Sequence, residues 1–202
     1  MAPQNFRQAI ADYITEQAKP REKFGHQPRL YELTLQVGEG QIYDDDVVYA
    51  AAWMHDLGVF TGHRPEDLEA LRRWDNTAYA MERAPDLLVN FGFPAEKIPS
   101  VIEAMRTHQP SKQPTNMEGE ILRDADILEQ LGAIGVLRTV CKIGRDTRFP
   151  DFTAAVQSLE KALTTLPTQL HLETSRALAE PRMEILKMFL GGVHREAGSA
   201  LY

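Results

Sequence analysis

A histidine followed directly by an aspartate, His55-Asp56, ends the apolar run Ala51-Ala52-Trp53-Met54. An imidazole nitrogen and a carboxylate oxygen that emerge together from a buried helix can supply two ligands to a divalent ion. An ordinary helix C-terminus carries the same pair, with the histidine against the last carbonyls and the aspartate in water. Neighbours on a helix point about 100° apart and do not converge of themselves. Two other places hold groups of the same kind. His26 opens a stretch in which Arg29, Leu30, Leu33 and Val37 follow in helical register. Asp124 and Asp126 enter a segment whose other positions, Ile121, Leu122, Ala125, Leu128 and Leu131, belong in a core. Carboxylates rarely enter such a face unless paired, protonated or metal-bound, because an ionised group left dry and alone is costly. The alternative places both on a solvated face with Arg123 and Glu129.

Taken together, His26, then His55-Asp56, then Asp126, on three separate helices, resemble the HD-domain superfamily of metal-dependent phosphohydrolases, whose pattern is one His, a His-Asp pair and a final Asp. The surrounding words are similar to those of the small bacterial HD hydrolases: His-Gln-Pro-Arg-Leu-Tyr-Glu-Leu from His26, Ala-Ala-Trp-Met-His-Asp-Leu-Gly from Ala51, and Asp-Ala-Asp-Ile-Leu-Glu-Gln-Leu-Gly-Ala-Ile-Gly from Asp124. So are Gly92-Phe93-Pro94-Ala95-Glu96-Lys97-Ile98 ahead of a helix ending in His108, and Arg182 near the C-terminus. The resemblance covers residues 20 to 195 approximately.

It implies that His26, His55, Asp56 and Asp126 are metal ligands. In the Asp-Ala-Asp word the family's ligand is the carboxylate just before the two-residue step to Leu, which selects Asp126. Asp124 is then an acceptor behind the ligands or a first-turn residue in solvent. Two imidazoles and two carboxylates leave two positions on an octahedral ion, and suit manganese, magnesium, iron, cobalt or nickel better than a closed structural zinc site. A single ion is expected, since Val59 stands where some relatives carry Glu, and His63 and His108 are separated rather than adjacent. His63, beside Arg64, reads as a surface histidine. His108 is either a group near the substrate or a simple C-terminal cap. Lys23 and Arg29 flank His26, and Arg106 and Lys112 flank His108, so these four are the candidate phosphate contacts. Arg72, Arg73, Arg145 and Arg148 could do likewise, but a solvated face is the better reading for them, and Trp53 and Trp74 read as core. The implied activity is metal-dependent hydrolysis of a nucleotide or related phosphate ester or anhydride by a metal-activated water, with Asp56 and His108 as candidate catalytic groups. The alternative is a non-catalytic regulatory module that binds a nucleotide through its metal.

Helices must position these groups, because apolar positions recur at helical spacing almost everywhere and no alternating run is bounded by turns. The expected fold is all-α, a single HD-type helical bundle over residues 1–202. Phe6, Ile10, Tyr13 and Ile14 mark a first helix closed by Pro20, and a second opens near Gln27-Pro28 and stops at Gly38 and Gly40. Asp44, Asp45 and Asp46 cap a third, expected to run to Leu57 with Gly58 past its end. Helix is expected over Glu66–Arg83 and Asp86–Phe91 with a break near Ala84-Pro85, and from Pro94 to His108. A loop from Gln109 to Asn116 precedes one long helix, Glu118–Ile143. Asp151–Leu163 and Thr168–His194 complete the set, the last kinked at Pro181.

The 202 residues are 43% hydrophobic and 25% charged, a globular composition that excludes disorder, collagen-like repetition and a disulfide scaffold. The 22 basic and 29 acidic side chains give a net charge of −7, unsuited to general binding of nucleic-acid backbone. Cys141 has no intrachain partner, no apolar run is long enough for a membrane span, and the charged N-terminal residues do not read as a secretory signal. These features point to a cytoplasmic protein that meets neither membrane nor nucleic acid.

Overall fold

A computed structural model describes residues 5–21, 25–144, 148–197 and 201. Among the described residues there are ten α-helices and no β-strand, as the helical spacing predicts; an isolated bridge joins Thr61 and Arg64. No helix among them is long and apolar enough to cross a membrane. The chain divides into two compact units, Met1–Arg123 and Asp124–Tyr202.

The first unit holds α1 (Phe6–Gln17), α2 (His26–Val37), α3 (Asp45–Met54), α4 (Leu68–Arg72), α5 (Asn76–Asn90), α6 (Ile98–Thr107) and the start of α7 (Met117–Leu128). Every residue of α3 from Val47 to Met54 is buried, as a helix apolar on all sides must be. Helices α1, α2 and α6 pack on it, and α5 packs on α6. The N-terminus of α3 is satisfied as the three aspartates suggest. The Asp44 side chain accepts from the N–H groups of Asp46 and Val47. Arg7 reaches Asp45 and Asp46 at 2.7 and 2.6 Å, and Lys97 reaches Asp44 and Asp46 at 2.8 and 3.0 Å. Burial pushes the Asp46 carboxyl up, but hydrogen bonds from Arg7 and Lys97 outweigh it and hold the group below the usual carboxylate range.

Two boundaries in this unit differ from the sequence expectation. Helix α3 ends at Met54, and Gly58 lies inside a 3-10 turn, Leu57–Val59, rather than past a longer helix. The backbone of Asn76 approaches there, so that a Cβ on Gly58 would sit 2.5 Å from the Asn76 carbonyl oxygen. The helical pattern after Glu66 breaks at Arg73–Asp75, where the Asp75 side chain accepts from the Ala78 N–H and starts α5. Pro85 sits within α5 instead of ending it. A proline forfeits one donor, and the buried stripe Thr77, Ala80, Ala84 and Leu88 carries the helix through.

In the second unit α10 (Glu173–Ala197) packs on α8 (Gly132–Val140) and α9 (Phe152–Thr165), which also touch each other. The expected long helix Glu118–Ile143 is two helices, α7 and α8. Leu131 is extended (φ −104°, ψ 164°) and Gly132 takes φ +66°, a left-handed conformation that favours glycine. Asp151 caps α9 by accepting from the Ala154 N–H at 2.8 Å. The last helix begins at Glu173 rather than Thr168, because Pro167–Gln169 forms a separate 3-10 turn, and Pro181 lies inside it.

Gly58→Ala is expected to force its Cβ into the Asn76 backbone and to cost about 1–3 kcal/mol, as overpacking does. Thermal unfolding followed by circular dichroism reads this as a lowered melting temperature, by roughly 2–4 °C per kcal/mol for a chain of this size.

Candidate metal centre

His26 is the first residue of α2 and His55 is the C-terminal cap of α3; both are buried. His55 Nδ1 lies 3.0 Å from the Ala52 carbonyl oxygen. A carbonyl only accepts, so Nδ1 carries the hydrogen and Nε2 presents its lone pair. That Nε2 lies 3.6 Å from Asp56 Oδ2, and His26 Nε2 lies 3.7 Å from the same oxygen. One donor atom from each of the three residues falls within 4.8 Å of the others. Ligand atoms on one ion with bonds of about 2.0–2.3 Å stand roughly 3–4.5 Å apart, so the two contacts to Asp56 have the spacing of a shared cation. The Asp56 side chain is 22% exposed and open to water, whereas the two imidazoles are enclosed. The rings of His26 and His55 meet edge to face at 5.4 Å.

His108 belongs to the same neighbourhood. It caps α6, is buried, and its ring meets that of His55 at 5.0 Å. Its Nδ1 lies 2.6 Å from the Met105 carbonyl oxygen, which fixes the tautomer as in His55. The next residue, Gln109, donates its amide to Thr77 Oγ1 at 3.1 Å and ties the end of α6 to α5.

Asp126 lies in the second unit, half-buried, with Oδ2 accepting from the Gln130 amide at 3.4 Å and Oδ1 at 3.9 Å from Arg138 Nη1. Arg138 also pairs with the buried Glu129 at 3.0 Å. Asp124 is fully buried, and its carboxylate accepts the N–H groups of His171 and Leu172 at 3.0 and 2.9 Å. It is therefore no first-turn residue in solvent; it holds the turn ahead of α10. Arg123 and Glu129 are buried too, which corrects the reading of that face as solvated. The Arg123 guanidinium donates to the Pro110 carbonyl at 2.8 Å.

His63 is half-buried rather than a surface histidine, with Nδ1 2.9 Å from the Tyr79 hydroxyl and Nε2 2.8 Å from Gln17 Oε1. Burial, and then the charge of Arg83, push its pKa down. Trp53 is core as expected; Trp74 is only half-buried and donates its indole N–H to the Gly58 carbonyl at 2.8 Å. Of the candidate phosphate contacts, Lys23 lies outside the described residues, as does Arg145. Arg29 and Lys112 are exposed, and Arg106 is forked onto Glu103 at 2.9 and 2.7 Å.

No protein-family model matches the chain. A curated relative, the uncharacterized protein YpgQ of Bacillus subtilis, is 23% identical over 201 residues, covering 96% of this chain and 92% of the relative. The crystal structure of YpgQ superposes with a TM-score of 0.76 at 22% identity, covering 99% of this chain and all of that one. A YpgQ structure in complex with ADP gives 0.72 at 22% identity, with 99% of each chain covered. A Bacillus thuringiensis protein described as an HD-superfamily hydrolase gives 0.67 at 20% identity, with 95% of each chain covered. The fold of this chain is the fold of these proteins.

Asp124→Ala is expected to strand the His171 and Leu172 amides and to lower thermal stability by about 1–3 kcal/mol. The lowered pKa of His63 means that the folded state binds fewer protons there than the unfolded state. Its contribution is therefore intact above the ordinary value near 6.5 and is lost as pH falls below it toward the folded-state value. The stability difference between wild type and His63→Gln, read by urea unfolding, should shrink across that window.

Proposed function

We propose, on the premise of the HD-superfamily fold that the chain has, that it is a metal-dependent phosphohydrolase acting on a nucleotide or a related phosphate ester or anhydride. The observation that carries this reading is the convergence of His26, His55 and Asp56, with the His55 tautomer fixed so that Nε2 faces the shared carboxylate. Hydrolysis draws support from the neighbours described as HD-superfamily hydrolases, and a nucleotide from the ADP complex of YpgQ.

His26, His55 and Asp56 would hold one divalent ion. Asp126 is proposed as a fourth ligand from the sequence motif, and the engagement of Asp124 with two backbone amides favours that choice. Two imidazole nitrogens and two carboxylates suit manganese, magnesium, iron, cobalt or nickel. Such an ion polarises a phosphoryl oxygen and lowers the pKa of water. Asp56, the open member of the cluster, accepts a hydrogen bond from the attacking water and orients it. His108, with Nδ1–H committed to Met105, offers Nε2 to take or return a proton. Arg29 and Lys112 are proposed phosphate contacts, with Lys23 from the sequence; Arg106 would have to release Glu103 to join them.

The test is a panel of nucleoside mono-, di- and triphosphates with protein loaded separately with each metal, reading both phosphate and pyrophosphate. Metal-dependent release of either supports the reading. Nucleotide binding with no release in any combination would assign the protein instead to a regulatory binding module. Elemental analysis should give one ion per chain, lost in His26→Ala, His55→Ala and Asp126→Ala. Asp124→Ala should keep its ion, with turnover down at most about 10- to 100-fold. Metal lost in the Asp124 variant and kept in the Asp126 variant would exchange the two assignments.

A further inference from the structure

Helix α10 has an apolar side that the chain leaves in water. Where it packs on α8 and α9 it buries Ser175, Ala179, Leu186 and Leu190. On another side Ile185 is 43% exposed and Met188 72%. Apolar residues scattered singly over a surface need no explanation, but these two belong to a row. Leu178, Pro181, Ile185, Met188, Gly192 and Arg195 follow one another at steps of 3, 4, 3, 4 and 3 residues. That alternation keeps a row on one side of a helix and is the spacing by which two helices mesh. The helix has 25 residues, a length of about 37 Å, and the row occupies its middle and C-terminal part.

Gly191 and Gly192 stand inside this helix, where glycine is the least favourable residue after proline. Packing within the chain does not require them. A Cβ on Gly192 would meet only Glu196 Oε1 at 3.9 Å, and one on Gly191 only Arg195 Nη1 at 3.4 Å, both of them ends of flexible side chains on the same helix. The space they leave suits a group that arrives from outside.

Two charges flank the middle of the row. Glu184 and Lys187 are exposed, lie one turn apart on the same side of it, and among the described residues neither has an ion pair. Pairs at that spacing do close elsewhere in the chain, Arg72 with Glu69 at 2.6 Å and Arg106 with Glu103 at 2.7 Å. A second copy of the chain supplies what both charges lack. Laid antiparallel about a two-fold axis between Ile185 and Met188, the row meets itself. Ile185 then lies on the partner's Met188, and the ring of Pro181 enters the space left at the partner's Gly192. The same rotation sets Glu184 beside the partner's Lys187, and Lys187 beside the partner's Glu184. A parallel pairing offers no such exchange. A symmetric interface uses one patch twice, so a patch complementary to itself in both shape and charge specifies its own occupant.

We infer that the chain forms a homodimer through this side of α10, the two helices running antiparallel with Glu184 and Lys187 exchanging ion pairs across the axis. The apolar row supplies the affinity, and the charges set the direction. The pairing is independent of the metal centre and of any substrate.

The test is sedimentation velocity of the full-length protein over a range of concentrations. The wild type should sediment as a dimer. Met188→Glu, a change at an exposed position, should weaken self-association at least about 10-fold with the circular dichroism spectrum unchanged. Glu184→Lys and Lys187→Glu each set like charges together across the axis, and each should weaken the dimer. The double exchange should restore it, and a mixture of the two single variants should form a heterodimer. A wild type that stays monomeric at every concentration would leave this side of α10 to a partner of another kind and overturn the inference. A dimer that Met188→Glu leaves intact and that a change at the exposed Leu137 of α8 breaks would overturn it as well. Failure of both the double exchange and the mixture to restore pairing would exclude the antiparallel arrangement and the inference with it.

Discussion

The candidate metal centre depends on one constraint: α3 is buried on all sides, yet both of its ends must be satisfied. A helix without a polar face cannot be placed by its surface, so packing against α1, α2 and α6 sets its position. Ala50, Ala51 and Ala52 leave its neighbours room to approach closely. The exposed donors at its start are met by Asp44, and the resulting concentration of negative charge is balanced by Arg7 and Lys97. At its other end His55 satisfies a carbonyl and then delivers a nitrogen to the place where Asp56 and His26 meet. Structural capping and candidate chemistry are thus two uses of one imidazole.

Charge in this part of the chain is largely spent internally. In a protein of net charge −7, an anionic ligand has to be met by local cations rather than by the field of the whole molecule. Arg7, Lys97 and Arg106 are already engaged with carboxylates at 3.0 Å or less. These three cations are therefore committed to holding the chain together, and an anion would have to displace a carboxylate to reach them.

Much of this was legible before any coordinates. The all-α class follows from apolar spacing, and the position of His55-Asp56 at a helix end follows from the apolar run before it and the glycine after it. The capping role of Asp44 is a local signal, and so is the glycine stop of α2. What periodicity could not show is a break that keeps the apolar pattern, as between α7 and α8, where one extended residue and one left-handed glycine redirect the chain. Partners distant in sequence were equally hidden. Asp124 finds its donors 47 and 48 residues on, and His63 its acceptor 46 residues back. Arg123 sits among Ile121 and Leu122, where its charge suggested solvent, but a loop carbonyl receives it inside. A tryptophan reads as core from its type alone, yet Trp74 is half-buried and reaches inward only with its indole N–H, which donates to the buried Gly58 carbonyl.

The aim of His55 is set by the carbonyl of Ala52, a main-chain atom of its own helix. No neighbouring side chain has to be kept for that nitrogen to point where it does. Mutations that exchange one core residue for another of similar bulk leave the backbone of α3 in place, and with it the direction of the imidazole. An imidazole oriented in this way tolerates drift of the side chains around it, because its direction is written in the main chain of α3.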